Sequence, residues 1–367
     1  MNRILLLSAD SLVVDVYREQ LGSAGFLVSH AADAATAQAS ATKAVPSAIL
    51  LDLALPEITG LSEIVLLLSS PAFLSVPLFA MPSGPDDSLI TIQEHRSITV
   101  IRRTPDPIRG LLHALGETLE VANIPEPTGI DSSRRQRMHQ GAEDALHEIR
   151  IQSRSVASGD NDVFALHALC FACHQLAHRC ALGGFAAVAA LGEATESLLR
   201  DFRDNPEQID TQTTRTLSQA VDFLSEMLGS NTLAKLRPPG ECPVLAIDDE
   251  PMASEALAAA LGCVGVPVTT ALRSDEALAT LEKYLFDLVF LDVGLPDMNG
   301  FEICTRLRQY PHHKKTPVVF LTGMPTFQNR VQSTLAGGNE FLSKPFNLVE
   351  LPVKALMWIY KGQLGKA

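Results

Sequence analysis

Four short stretches of the chain end apolar runs in side chains capable of chemistry. VLAIDDE (244–250) runs into Asp248 and Asp249, and FDLVFLDVGLPDMNG (286–300) runs into Asp292. VVFLTG (318–323) ends in Thr322, and EFLSKPF (340–346) ends in Lys344 before Pro345. Five of the first six residues of 286–300 are apolar, which predicts a buried strand of a parallel sheet. Gly294, Pro296 and Gly300 then predict a loop. A carboxylate at the carboxyl end of a central parallel strand lies where doubly wound sheets carry their chemistry. An acidic pair, a lone aspartate, a hydroxyl and a lysine would meet there as one charged edge.

In order, spacing and residue type this set resembles the receiver domain of two-component response regulators, over residues 241–363. The resemblance implies that Asp292 is the phosphoacceptor. It implies Mg²⁺ as cofactor, bound by Asp249, Asp292 and the backbone carbonyl of Gly294, with Asp248 acting mainly through water. Thr322 would donate a hydrogen bond to a phosphoryl oxygen, and Lys344 would supply positive charge. The physical need is charge compensation, because an anionic carboxylate must attack an anionic phosphoryl donor. Phe341 stands at the family's aromatic switch position; it reads equally as a plain core phenylalanine.

The elements that position such groups recur earlier in the chain. Residues 1–121 alternate strand and helix patterns: strands at NRILLLS, FLVSH, SAILLDL, VPLFAM and SITVIR, with helices at 11–24, 33–43 and about 106–121. LLDLALPEITG (50–60) lines up with FLDVGLPDMNG (290–300), an internal repeat roughly 240 residues apart. The first copy is chemically depleted. Ser8 and Ala9 replace the acidic pair, Asp10 falls one place late, Pro82 stands for Thr322 and Arg103 for Lys344. Only Asp52 survives, and one carboxylate is a poor start for a divalent cation. This predicts a receiver-like domain over 1–121 without competent phosphorylation, serving in docking or dimerisation, or an Asp52 that is merely a solvated strand-end residue.

ANIPEPTGIDSS (122–133) reads as a linker, and helical periodicity dominates from about 134 to 229. Helices near 134–156, 161–181, 185–203 and 207–228, with Asp160 and Asn161 as caps and Pro206 at a first helical position, predict a four-helix bundle over 130–230. Its second helix places His167, Cys170, His174 and His178 on one face. Three chemical readings compete there. One is haem attachment, since CFACH (170–174) matches C-x-x-C-H. Another is a metal held by His174 and His178, although a closed tetrahedral site needs ligands from elsewhere. The third is a resemblance to the histidine phosphotransfer (HPt) domain, carried by His174, Leu176, Ala177, Gly184, Phe185 and Glu196. The chain departs from that family's pattern at His178, where glycine is usual, and at Ala177, where lysine is frequent. The resemblance implies an exposed His174 phosphorylated on nitrogen. The bland alternative is a packed helix with incidental histidines and buried thiols.

Composition sets limits on function. Length 367 predicts two or three domains, and 46% hydrophobic content supports real cores. The net charge of −13 divides as −6 over 1–124, −4 over 125–240 and −3 over 241–367. No long basic stripe exists, which disfavours nucleic-acid binding. RRQR (134–137) and HHKK (312–315) read as solvated surface. MNRILLLSAD is no secretory signal, and prolines at 71, 77 and 82 break the uncharged stretch 64–85, so no membrane partner and a cytoplasmic location are expected. The six cysteines should then be reduced thiols. No kinase ATP-binding region or Walker loop is evident.

The combined expectation is α/β plus all-α: two flavodoxin-like (βα)₅ receiver domains flanking a four-helix HPt-like bundle. Its function would be phosphorelay between Asp292 and His174, with a sensor histidine kinase or other receiver or HPt proteins as partners and homodimerisation open. The competing class is a signalling scaffold, or the input region of an effector such as a nucleotide cyclase, in which only the last receiver is phosphorylated.

Overall fold

The computed structural model describes residues 2–52, 67–68, 70, 73–81, 97–101, 107–121, 124–125, 127, 129–157, 163–205, 211–323 and 327–365. They form two compact units, residues 1–209 with 224–229, and residues 210–223 with 230–367. Among the described residues no helix is long and apolar enough to cross a membrane.

The first unit opens with β1 (Arg3–Leu7), α1 (Ser11–Ser23), β2 (Leu27–Ala31), α2 (Ala34–Lys43), β3 (Ala48–Asp52), β4 (Leu78–Met81), β5 (Ile98–Val100) and α3 (Pro107–Thr118). The five strands are parallel in the order β2-β1-β3-β4-β5. Alternate side chains serve opposite faces of the sheet. Ile4, Leu6, Leu50 and Phe79 pack with Tyr17 and Leu21 of α1 and Leu111 and Leu115 of α3. Leu5, Leu7, Ile49 and Leu51 pack with Ala37 and Ala41 of α2. Both faces are covered, so β3 reads apolar at every position but its last.

Four longer helices follow, α4 (Ser132–Ala157), α5 (Val163–Leu182), α6 (Ala186–Asp204) and α7 (Thr211–Leu228). Within the first unit α4 packs on α5 and α5 on α6, and α1 packs against both α4 and α5. Met138 of α4 and Leu182 of α5 join the apolar cluster beneath α1, so sheet and helices share a core. Arg179 ties the same elements by polar contacts. Its Nε donates to Asp10 Oδ2 (2.9 Å) and its Nη1 to the Gly141 carbonyl (2.6 Å). Asp10, in turn, caps α1 by accepting from the Leu12 and Val13 amides. Gly184, at φ +78°, makes the turn between α5 and α6; a β-carbon there would lie 2.7 Å from Ile130.

The second unit contains β6 (Val244–Ile247), α8 (Pro251–Cys263), β7 (Val268–Ala271), α9 (Ser274–Lys283), β8 (Leu288–Asp292), α10 (Gly300–Leu307), β9 (Val318–Thr322), α11 (Phe327–Leu335), β10 (Glu340–Ser343) and α12 (Glu350–Gln363). Its parallel sheet has the order β10-β9-β8-β6-β7, the doubly wound pattern of the first sheet read in reverse. The strand and helix pattern anticipated from the sequence is present in both halves. Pro82, Arg103, Asp160, Asn161, Pro206 and the stretch 53–60 lie outside the described residues.

Two surface expectations hold for all but one residue each. Arg134 is buried, and its amide donates to Asp131 Oδ1, while Arg135, Gln136 and Arg137 are exposed in the first turns of α4. His313 is fully buried: its Nε2 lies 3.1 and 3.0 Å from the carbonyls of Leu281 and Tyr284, and its Nδ1 lies 3.0 Å from Thr316 Oγ1. His313 is therefore a plug under α9, while His312, Lys314 and Lys315 are exposed as expected. Burial holds His313 below its ordinary pKa.

All six cysteines are free thiols; Cys170, Cys173, Cys180, Cys242 and Cys304 are buried and Cys263 is exposed. Burial pushes the Cys242 and Cys304 thiols up to about 11 and raises Cys173 and Cys180 as well. Because the thiolate is the nucleophile, brief treatment of the native chain with iodoacetamide should modify Cys263 alone. Peptide mass mapping checks this; early labelling of Cys170 or Cys173 would contradict the packing of α5.

Candidate functional site

In the second unit, Asp248 follows β6 and Asp292 ends β8, side by side because Ile247 pairs with Leu291. Lys344 follows β10 and reaches both, its Nζ lying 2.6 Å from Asp248 Oδ2 and 3.3 Å from Asp292 Oδ1. The backbone brings it there, since the Lys344 amide donates to the Thr322 carbonyl (2.7 Å) and Ser343 pairs with Thr322. Asp248 and Asp292 are buried while Asp249 is exposed, and one oxygen of each lies within 4.8 Å of the others. The Gly294 amide donates to Asp292 Oδ2 (3.2 Å) and the Glu250 amide to Asp248 Oδ1 (3.1 Å). Thr322 is buried at the adjacent strand end, and Phe341 is half-buried against the cluster around Phe320. Gly300 holds the intervening loop tight. A β-carbon there would fall 2.2 Å from the Asp292 carbonyl oxygen, too close for any other residue.

The electrostatics are those of an anionic edge. Burial pushes the Asp292 carboxyl above its ordinary value; the Lys344 ammonium opposes this and the Asp248 carboxylate adds to it. Burial works against the Lys344 charge, but the two carboxylates outweigh it and raise its pKa. Three carboxylates face one ammonium, and all three offer hard oxygen donors. That donor set fits Mg²⁺, which takes carboxylate oxygens and retains waters.

In the first unit, Asp52 ends β3 as Asp292 ends β8. The frames match: the Ser8 amide donates to Ala31 as the Asp248 amide does to Ala271, both at 3.2 Å. Ser8 therefore occupies the Asp248 position, and its Oγ donates to Asp52 Oδ2 (2.8 Å). The expectation of a solvated Asp52 is wrong; it is 1% exposed. His174 Nε2 lies 3.1 Å from Asp52 Oδ1, and His178 Nδ1 lies 3.8 Å from Asp52 Oδ2. Burial alone would raise the Asp52 carboxyl. The His174 hydrogen bond, the charges of His178 and His174 and the Ser8 hydroxyl outweigh it and hold the carboxyl well below the usual range.

His174 is likewise not the exposed imidazole that the HPt resemblance implied. It is 2% exposed, and its Nδ1 lies 3.3 Å from Glu196 Oε1, which also accepts from Arg200 Nη2 at 2.8 Å. His178 Nε2 lies 3.3 Å from the Tyr17 hydroxyl, which meets Met81 Sδ at 2.8 Å. Cys170 and Cys173 of the CFACH motif serve as buried core side chains. Ser8, Tyr17 and Arg200 were not foreseen in this network. The Glu196–Arg200 pair carried the one local signal, a spacing of four on a helix.

Each unit thus carries a doubly wound parallel sheet with an aspartate ending its central strand, and the second adds an acidic pair and a lysine at the same edge. Residues 244–355 match the response regulator receiver domain family, and in that segment the chain belongs to it. The phosphate regulon transcriptional regulatory protein PhoB of Rhizobium meliloti (strain 1021) is 37% identical over 116 residues, 31% of this chain and 51% of that protein. An uncharacterized 14.6 kDa protein of Leptolyngbya boryana is 35% identical over 108 residues, 29% of this chain and 82% of that protein. The chemotaxis response regulator CheY4 of Vibrio cholerae, a solved structure, is 33% identical and covers 32% of this chain and 98% of its own, with a TM-score of 0.31. The chain spans about half the length of PhoB and 47% and 42% of two mycobacterial regulators, TcrX and TcrA.

Removing one partner of a buried ion pair leaves the other charge uncompensated. His174→Leu should therefore destabilise the chain by about 3–5 kcal/mol in denaturant unfolding. A cost under about 1 kcal/mol, the scale of an exposed pair, would contradict the Asp52–His174 contact.

Proposed function

We propose that the chain is a phosphorylatable response regulator that accepts a phosphoryl group on Asp292. The observation that carries this is the Asp248–Asp249–Asp292 cluster bridged by Lys344 at the carboxyl edge of the 244–355 sheet. An Asp292 carboxylate oxygen attacks phosphorus, the bond from phosphorus to the donor's leaving group breaks, and an acyl phosphate forms. Asp248, Asp249 and Asp292 would hold Mg²⁺, which supplies positive charge against the incoming phosphoryl oxygens. Lys344 adds a fixed charge from the carboxyl end of β10, and Thr322 stands on β9 to donate to a phosphoryl oxygen. The Gly294 amide and the Gly300 close approach keep the attacking carboxylate in place. Phe341, half-buried behind Thr322, would follow that hydroxyl inward.

The phosphodonor in this reading is a sensor histidine kinase or another phosphohistidine protein. Exchange with His174 of an HPt-like segment is the finer form of the proposal. It requires α5 to part from β3, because both ring nitrogens of His174 face carboxylates in a buried site. Asp52, committed to two imidazoles and a serine, has neither the acidic pair nor the lysine that Asp292 has nearby.

Full-length protein treated with a radiolabelled small phosphodonor and Mg²⁺ should take up base-labile label. Asp292→Ala should abolish it, and Asp52→Ala should leave it intact. Undiminished label in Asp292→Ala would overturn the assignment.

A further inference from the structure

We infer that Asp52, His174 and His178 form a transition-metal site, with Zn²⁺ as the fitting ion, in the first unit. The site is built from other residues than the acidic edge at Asp292 and does not depend on its phosphorylation. One ligand atom from each of the three residues lies within 4.8 Å of the others. Zinc bound at about 2.0–2.1 Å in a tetrahedron sets its ligand atoms about 3.4 Å apart. His174 Nε2 lies 3.1 Å from Asp52 Oδ1 and His178 Nδ1 lies 3.8 Å from Asp52 Oδ2, so each ring meets its own oxygen of the carboxylate at a separation near that value. Two imidazoles and a carboxylate suit zinc and its neighbours over Mg²⁺ or Ca²⁺, which prefer oxygen alone.

The outer contacts of the three residues match those of a metal site. Metal-bound histidines characteristically give their other ring nitrogen to a carboxylate or another polar partner, which fixes orientation and tautomer. Here His174 Nδ1 meets Glu196, itself held by Arg200, and His178 Nε2 meets the Tyr17 hydroxyl. Ser8 holds Asp52. Each ligand is thus secured from outside while its inner atom faces the common centre. A simple Asp52–His174 ion pair would need neither His178 nor Tyr17. Charge agrees as well: Asp52 and Glu196 bring two negative charges to a buried site and Arg200 brings one positive. The helix supplies two ligands four residues apart, and β3 supplies the third that the helix alone lacks. Three protein ligands leave the fourth position of a tetrahedron open.

Binding is balanced by loss of the proton shared between His174 Nε2 and Asp52 Oδ1, which the metal replaces. The same nitrogen is then closed to phosphorylation. Because the site is buried, the folded chain should load slowly and the refolding chain readily.

The test is to refold the full-length chain with ZnCl₂ or CoCl₂, dialyse it, and measure metal content and the cobalt visible spectrum. The expected result is one tightly held ion per chain with an intense four-coordinate Co²⁺ band. Asp292→Ala should keep the band, which separates it from the acidic edge. His178→Gln should lose it, and Glu196→Gln should keep it with about 10–100-fold weaker affinity. If His178→Gln fails to fold by circular dichroism, Glu196→Gln decides. Absence of the band in the wild-type chain, an unchanged metal content in folded His178→Gln, or Zn²⁺-loaded chain that still labels on His174 would each overturn the proposal.

Discussion

An aspartate at the carboxyl end of a buried parallel strand must have its charge compensated, and the rest of this molecule follows from how that is done. Ionised groups withdrawn from water cost several kcal/mol each unless paired and hydrogen-bonded. Asp292 is compensated by Lys344 from the end of β10, two strands away, and by the Gly294 amide, and it stands beside two more carboxylates. That arrangement is underneutralised. Burial and Asp248 raise the Asp292 carboxyl despite Lys344. A site so poised gains from the positive charge that a bound cation would supply.

Asp52 is compensated in a different way on the same scaffold. Replacing the acidic residue after β1 with Ser8 removes a repulsive neighbour and adds a hydrogen-bond donor. Two imidazoles from α5 then close over the carboxylate. The cost of enclosing them is offset by a continuous core, in which Met138 and Leu182 pack with the residues of α1 and α3. The first aspartate has thus become a structural anchor for α5, and the second keeps an accessible edge. The salt bridge from Arg179 to the α1 cap residue Asp10 reinforces the same junction. A residue displaced by one position from the acidic pair has thereby acquired a capping and pairing role.

Much of the fold was legible because apolar runs of four or five residues ending in polar side chains are strong signals for buried parallel strands. The repeat of LLD and FLD motifs fixed both central strands, and Asp248, Asp292 and Lys344 meet as their positions required. Burial of Asp52 and His174 was not legible. A sequence shows that α5 has histidines on one face, but nothing local shows that this face turns toward β3. The partner lies 122 residues away. His313 was missed for a related reason: a His-His-Lys-Lys run looks hydrophilic, and only the carbonyls of Leu281 and Tyr284, 32 and 29 residues upstream, make one of its rings a buried plug.

Two aspartates on equivalent strand ends thus differ in chemistry because of what compensates their charge. Borohydride reduction of the phosphorylated wild-type chain converts each acyl phosphate to homoserine at the modified position. Peptide sequencing then reads both sites in one sample. Homoserine at 292 and intact aspartate at 52 are expected. Homoserine at 52 in folded protein would show that the imidazoles do not withhold Asp52 from the donor, and would contradict that difference in chemistry.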